Sequence, residues 1–136
     1  HVSAIRDRFI ARVLHEIPYV KLNGHPKDRL PNNANFSFRY IEGESPLVSL
    51  DLARIAVSSG SACSSGSLVP SHVLLATGLP EGLAHGSIRF SFGKENTAEQ
   101  IDIAVEKLKE IVVRLRNLSP LFPKELKNEV YDKEIK

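Results

Sequence analysis

Residues 87–118 read SIRFSFGKENTAEQIDIAVEKLKEIVVRLRNL, a strand pattern followed by a helix pattern. Polar and apolar side chains alternate over residues 87–92, which predicts a half-buried strand. Thr97 and Gln100 have the spacing of a capping box, so a helix is expected to begin there. Behind that cap, apolar residues recur at helical spacing and predict a helix over about residues 98–117. These residues are Ile101, Val105, Leu108, Val112 and Leu115.

The upstream part of the chain predicts a second helix and two more strands. Apolar side chains recur at helical spacing over residues 2–17, and Pro18 ends that helix. Residues 19–22 predict a short strand, and residues 23–33 have the chemistry of turns and loops. Residues 35–41 (NFSFRYI) alternate aromatic and polar side chains, so they predict a further half-buried strand. Because strands and helices do not alternate strictly, we predict an α+β domain, a small sheet with helices packed on one face.

The centre of the chain carries further helix signals. Ser45 can cap a helix and Pro46 fits its first position, so a helix is expected to run to about residue 55. Pro70 opens another short helix, and Gly78 stands where a C-terminal cap is expected. No internal repeat and no long linker divides the chain. We therefore expect one domain over residues 1–119, followed by a charged tail over 120–136.

Composition limits the classes of protein to which the chain can belong. It has 136 residues, 42% of them hydrophobic and 25% charged, with a net charge of +2. Basic residues form no stripe and no polybasic run, so neither nucleic acid nor an anionic membrane is expected as a partner. No apolar run is long enough to span a bilayer. The single cysteine forbids an internal disulfide and favours a reducing compartment, hence a cytoplasmic location.

The chain begins at His1 and contains no methionine. A natural translation product normally starts with methionine. We therefore expect the sequence to be a fragment or a processed piece of a longer protein.

Residues 58–67 (SSGSACSSGS) are unusual because six of the ten are serine and two are glycine. None is large enough to anchor the segment in a core, so an exposed, mobile loop is expected. Cys63 lies at its centre, where a thiol could reach one partner and then another. An unperturbed thiol has a pKa of about 8.5, so a neighbouring group would have to promote the thiolate. The alternative is that Cys63 is an incidental small residue in a Ser/Gly linker.

Arg89 is the second candidate, because it lies in a predicted strand between Ile88 and Phe90. An arginine fixed there can hold a substrate carboxylate with two parallel hydrogen bonds. The alternative is a strand arginine that pairs with a nearby acidic residue or faces water.

Several other sites are excluded or left open. The five histidines have no short-spaced His or Cys partners, so no metal site is predicted. His72 follows the stretch that contains Cys63, and His85 lies four residues before Arg89. Either could face a site, although solvated or capping roles are the simpler interpretation. The Ser/Gly stretch lacks the Gly-Lys-Ser/Thr ending of a P-loop. Val69 stands six residues after Cys63, so the Cys-x5-Arg cradle of tyrosine phosphatases is absent.

Taken together, these stretches closely resemble NifS/IscS-type cysteine desulfurases of the class V aminotransferase family. The resemblance runs almost from end to end, and the cysteine loop has the length of the long-loop group rather than that of selenocysteine lyase relatives. The matching stretches are residues 35–38, 42–45, 58–68, 70–74 and 83–93.

The resemblance implies a fold and a reaction. It implies the small C-terminal domain of a fold-type-I pyridoxal-phosphate enzyme, which is commonly a homodimer. In this family a cysteine thiolate attacks the sulfur of cofactor-bound L-cysteine, which leaves alanine and an enzyme persulfide. A mobile loop then carries the persulfide to an acceptor such as an iron–sulfur scaffold protein. Cys63 matches the nucleophile, and Arg89 matches the residue that binds the substrate carboxylate.

One departure from the family pattern keeps alternatives open. The family's Schiff-base lysine follows a histidine, and no His-Lys pair occurs in this chain. The resemblance therefore implies that pyridoxal phosphate is bound by a large domain absent from this chain. Two other interpretations remain: an isolated persulfide-carrying or scaffold-binding domain without the cofactor, and a different fold-type-I enzyme, such as an aminotransferase relative, in which Cys63 has no role.

Overall fold

The computed structural model describes residues 1–41, 45–59, 87–120 and 122–123. Cys63, His72 and His85 lie outside these residues, as do the predicted helix after Pro70 and most of the charged tail. The elements in chain order are α1 (Val2–Glu16), β1 (Val20–Leu22), β2 (Asn33–Phe38), α2 (Ser45–Leu52), β3 (Ser58–Ser59), β4 (Ser87–Ser91) and α3 (Ala98–Leu118).

The four strands form one sheet in the order β1-β2-β4-β3, and every neighbouring pair is antiparallel. The register places Phe36 opposite Leu22 on one side and opposite Ile88 on the other. Arg89 lies opposite Asn35 of β2 and, across its other edge, opposite Ser58 of β3. Arg89 is therefore in the interior of the sheet rather than on an edge strand.

The helices bury one face of this sheet. Side chains of a strand point alternately to the two faces, so Phe36 and Phe90 share the face that meets α1 and α3. Phe9 of α1 is 1% exposed, and its ring centroid lies 4.7 Å from that of Phe90 and 6.0 Å from that of Phe36. Val13 of α1 and Val105 and Leu108 of α3 are fully buried. This packing confirms the predicted α+β architecture with helices on one face.

The two long predicted helices, α1 and α3, agree closely with the structure. The α3 capping box is formed: Gln100 N–H donates to Thr97 Oγ1 over 3.2 Å, and Thr97 N–H donates to Gln100 Oε1 over 3.1 Å. Across the surface between α1 and α3, Arg8 donates to both carboxylate oxygens of Asp102. This bidentate pair holds the pKa of Asp102 below its usual value, chiefly through the hydrogen bonds from Arg8.

Several predicted boundaries differ from the structure, and at two of them a residue other than glycine has left-handed backbone. Strand β2 begins at Asn33 rather than at residue 35. Strand β2 ends at Phe38 rather than at residue 41, and Tyr40 just beyond it has a φ of 67°. Helix α2 ends at Leu52 rather than near residue 55, since Arg54 has a φ of 65°. The N–H groups of Arg54 and Ile55 donate to Asp51 and Leu50 carbonyls, the two bonds of a Schellman helix end.

The C-terminal end of α3 is fixed by a buried arginine that the sequence patterns did not reveal. Arg116 has no exposed surface, and its guanidinium donates to the carbonyls of Pro18 (2.6 Å), Tyr19 (2.9 Å) and Arg39 (3.1 Å). It also lies 5.7 Å from the centroid of the Tyr19 ring. Burial lowers the pKa of Arg116 to about 10, which leaves the guanidinium charged at neutral pH.

Candidate functional site

The sheet face opposite the helices is polar. Alternation places residues 33, 35 and 37 of β2 and residues 87, 89 and 91 of β4 on this face, which we call the polar face. Lys21 of β1 and Ser58 of β3 extend it, because they pair with Ser37 and Arg89. Among these described strand residues there is no aspartate or glutamate, so the only charges are positive.

A chain of hydrogen bonds orders the polar face. Asn23 follows β1 and is 4% exposed, and its Nδ2 donates to Asn35 Oδ1 over 2.9 Å and to Ser37 Oγ over 3.0 Å. Its backbone N–H donates to the Asn35 carbonyl over 2.8 Å. The hydroxyls of Ser37 and Ser87 are hydrogen-bonded across the two central strands over 2.7 Å. These side chains are therefore held in place by one another and by the sheet.

Arg89 lies in the middle of the polar face and is half-buried. Its Nε is buried without an acceptor, and the described part of the chain gives its guanidinium neither a hydrogen bond nor an ion pair. A buried donor normally has a partner, and an unpaired one requires an explanation. The interpretation of Arg89 as half of an internal ion pair thus finds no partner among the described residues.

Such an arrangement suits the binding of an anion. A guanidinium presents its donors in one plane, so it can hold a carboxylate through two parallel hydrogen bonds. Because Arg89 lies on an interior strand, its backbone is already fixed, so the side chain would lose less conformational freedom on binding an anion. A free carboxylate from outside the described residues would satisfy the Nε and would meet no acidic competitor on this face.

The second candidate, Cys63, lies outside the described residues, and so do His72 and His85. The beginning of the Ser/Gly stretch is described, and it is a strand rather than a loop: Ser58 and Ser59 form β3 and pair with Arg89 and Ile88. The described part of the stretch that contains Cys63 therefore pairs with the strand that carries Arg89. The sequence patterns did not predict this pairing because a two-residue strand has no periodicity.

The polar network around Asn23 and Asn35 was also missed from the sequence. One signal was available, since the polar positions of the two central strands are Asn, Ser and Arg and include no acidic residue. Among the described residues, no group of acidic, histidine or cysteine side chains could hold a metal ion. Nor does any described helix combine the length and apolarity that crossing a membrane requires.

Comparison with known proteins agrees with this fold. A small antiparallel sheet that is covered by helices on one face, and that carries on the other an arginine whose buried Nε has no acceptor among the described residues, defines an α+β domain with a candidate anion site. The family model "Aminotransferase class-V" matches residues 3–104 of the chain. The chain belongs to the class-V aminotransferase family.

Within that family the chain is similar to cysteine desulfurases. It is 54% identical over 121 residues to the cysteine desulfurase IscS of Methanosarcina thermophila. The aligned residues are 89% of this chain and 30% of that protein. It is 49% identical over 119 residues to the cysteine desulfurase NifS of Azotobacter vinelandii, with 88% and 30% covered. The chain thus spans about a third or less of the length of these curated relatives.

A solved structure gives the same result. The X-ray structure of a NifS-like protein from Rickettsia africae superposes with a TM-score of 0.68 at 29% identity, covering 81% of this chain and 28% of that one. The similarity extends over most of the chain, which supports the architecture deduced from its packing.

Proposed function

We propose that the chain is the C-terminal small-domain part of a cysteine desulfurase that uses pyridoxal phosphate, and that residues 1–119 form this domain. The observation that carries the proposal is the buried, unpaired Nε of Arg89 on a face without described acidic residues. The similarity to desulfurases over 89% of the chain supports the same interpretation.

Arg89 binds the carboxylate of the substrate L-cysteine in this proposal. Two hydrogen bonds from the guanidinium fix both the position and the plane of the carboxylate. The rest of the substrate, including its thiol, is then oriented relative to the sheet. Binding also gives the buried Nε of Arg89 the acceptor that it lacks within the described residues.

The chain's own residues do not form a complete cofactor site. No lysine in the sequence follows a histidine, and among the strand residues of the polar face the only lysine is Lys21. Pyridoxal phosphate would therefore be held by the remainder of the complete protein, where it supplies an electron sink. In the proposal, this chain contributes Arg89, which binds the carboxylate of the substrate, and Cys63, the nucleophile.

Cys63 is the proposed nucleophile. Its thiolate attacks the substrate sulfur, so that a new S–S bond forms while the bond between that sulfur and the substrate Cβ breaks. The electron pair stays with the substrate carbon, which takes up a proton and leaves as L-alanine, and Cys63 becomes a persulfide. Cys63 is the fourth residue after Ser59 of β3, and four extended residues span at most about 14 Å. Attachment beside Arg89 therefore suits a thiol that must reach the substrate.

The persulfide sulfur then passes to an acceptor, for which an iron–sulfur scaffold protein is the proposed class. The complete enzyme is proposed to work as a cytoplasmic homodimer. The names IscS and NifS belong to relatives that are 54% and 49% identical to this chain over the 121 and 119 aligned residues.

The test uses the complete protein with Cys63→Ala. Release of sulfide from L-cysteine should fall to background, while the absorption band of bound pyridoxal phosphate stays unchanged. Ser64→Ala, next to Cys63 in the same stretch, is the matched control and should retain activity. Normal turnover by the Cys63 variant would refute the assignment.

A second candidate is a persulfide-carrying or scaffold-binding domain that works without the cofactor. The complete protein separates the two, since only the desulfurase shows a pyridoxal phosphate absorption band. Another class-V activity would retain the band but would not release sulfide and alanine from L-cysteine.

A further inference from the structure

We propose that Asn35 is a second donor to the substrate carboxylate, beside Arg89, and that Asn23 is the residue that positions it. The inference rests on the proposed function and adds a specificity-determining residue to the same site. It follows from the strand register, the orientation of one side-chain amide and the charges on the polar face.

The register brings Asn35 and Arg89 together. They are direct partners on the central strands β2 and β4, and both point to the polar face. Directly opposed residues on one face of an antiparallel pair have Cβ atoms about 4.5–5.5 Å apart. An anion held by the guanidinium of Arg89 is thus within reach of a short side chain at position 35.

The orientation of the Asn35 amide leaves donors available. Its Oδ1 accepts a hydrogen bond from Asn23 Nδ2 over 2.9 Å. The oxygen is therefore directed to Asn23, and the amide nitrogen is directed away from it with two hydrogens. No described residue accepts from Asn35 Nδ2, so both hydrogens can go to a ligand.

Asn23 is well suited to fix this orientation. It is 4% exposed, and its backbone N–H donates to the Asn35 carbonyl, so both the backbone and the side chain of Asn23 hold residue 35. The same Nδ2 also donates to Ser37 Oγ, which is two residues along β2. Rotation of the Asn35 amide alone would break the bond to Asn23 and place two donor groups against each other. Asn23 Oδ1 is buried without a partner among the described residues, so the side chain of Asn23 is held in this orientation by the two bonds that its Nδ2 donates.

A purely structural role for Asn35 makes a different prediction. To satisfy Asn23, position 35 needs only an oxygen, which aspartate supplies with nearly the same shape. To bind a carboxylate, position 35 needs the N–H donors, which aspartate replaces by a negative charge. Asn35→Asp therefore separates the two roles, and Asn35→Ala tests the loss of the donors without an added charge.

The experiment measures KM and kcat for L-cysteine in the complete protein with its cofactor. Cysteamine has the amine and thiol of cysteine but no carboxylate, and its dissociation constant is measured by titration of the cofactor absorbance. Asn33→Ala is the matched control, because Asn33 is the same residue type on the same strand and face, but lies opposite Ser91 instead of Arg89.

We expect Asn35→Ala to raise KM for L-cysteine about tenfold with little change in kcat, as for the loss of one hydrogen bond to a charged group. Asn35→Asp should raise KM by more, since it adds repulsion and competes for Arg89. Both variants should bind cysteamine as the unaltered protein does, and Asn33→Ala should keep the KM of that protein.

Three results would overturn the proposal: an unchanged KM in Asn35→Ala, a normal KM in Asn35→Asp, or an equal loss of affinity for cysteamine. Its failure is distinct from failure of the proposed function. If the unaltered complete protein releases no sulfide from L-cysteine, the desulfurase assignment fails. If it releases sulfide and the Asn35 variants match it, only the role of Asn35 fails.

Discussion

Arg116 and Arg89 lie in two regions of the molecule where the buried nitrogens of a guanidinium are paired in opposite ways. At the end of α3, three backbone carbonyls accept from Arg116, and the side chain has no exposed surface. On the polar face, the buried Nε of Arg89 has no acceptor among the described residues. Neither arginine has a described carboxylate partner, so the two differ in burial and in the backbone carbonyls that accept from Arg116.

The comparison separates architecture from binding. A buried cation that is fully hydrogen-bonded by the backbone fixes the elements that supply the carbonyls, here the turn before β1 and the end of β2. An arginine with a buried, unpaired donor contributes little to folding and is available for an anion. Replacing Arg116 should therefore lower stability, whereas replacing Arg89 should weaken the binding of substrate.

The largest expected effect is that of Arg116→Ala on stability. The change leaves a cavity and removes the donors for the carbonyls of Pro18, Tyr19 and Arg39. We expect the free energy of local unfolding to fall by about 3–5 kcal/mol, since several buried hydrogen bonds and the packing are lost together. Amide hydrogen exchange of β2 residues in the complete protein measures this change.

Arg116→Lys is the control for charge. It keeps the positive charge but loses the planar fork, so it should recover only part of the lost stability. KM for L-cysteine should stay near that of the unaltered protein in both variants wherever they remain folded. Exchange rates unaffected by Arg116→Ala would mean that the three carbonyls do not depend on this side chain.

The next effect is that of Arg89→Ala on binding. We expect the apparent affinity for L-cysteine to weaken by about 1.5–3 kcal/mol, the range for a hydrogen bond to a charged group. Stability should change by less than about 1 kcal/mol, because the buried Nε has no hydrogen bond within the described residues to lose. Steady-state kinetics and hydrogen exchange measure the two quantities.

Arg39→Ala is the matched control for Arg89, because Arg39 follows β2 but is exposed. It should change neither quantity appreciably. An unchanged affinity in Arg89→Ala would remove Arg89 from the site. A large loss of stability instead would make Arg89 structural, and the contrast with Arg116 would disappear.

The sequence predicted the elements better than their connections. Periodicity located α1 and α3, because an amphipathic helix repeats its pattern over many residues. It also predicted Arg89 on a strand, but it could not show that the buried Nε lacks an acceptor or that Asn35 lies opposite. Those facts depend on register between segments more than 50 residues apart, and local patterns carry no such information. Arg116 was missed for another reason: helical spacing places it four residues after Val112, on the buried face of α3, but a charged side chain is normally expected to face water.

Arg54 extends the comparison to an arginine whose backbone, and not its side chain, determines the effect of replacement. It is exposed, and its φ of 65° places it in the left-handed region at the end of α2. Glycine adopts that conformation without the steric penalty of a Cβ, so Arg54→Gly should stabilise the domain by about 0.5–1 kcal/mol. Slower hydrogen exchange at Ile55, whose N–H donates to the Leu50 carbonyl, would report this gain.

Arg54→Ala is the control: it removes the same side chain but keeps the Cβ, so it should bring no gain. Equal stabilisation by both variants would show that removal of the Arg54 side chain, and not relief of backbone strain, causes the gain. Arg54 would then resemble Arg89 and Arg116, whose replacement acts through the guanidinium group.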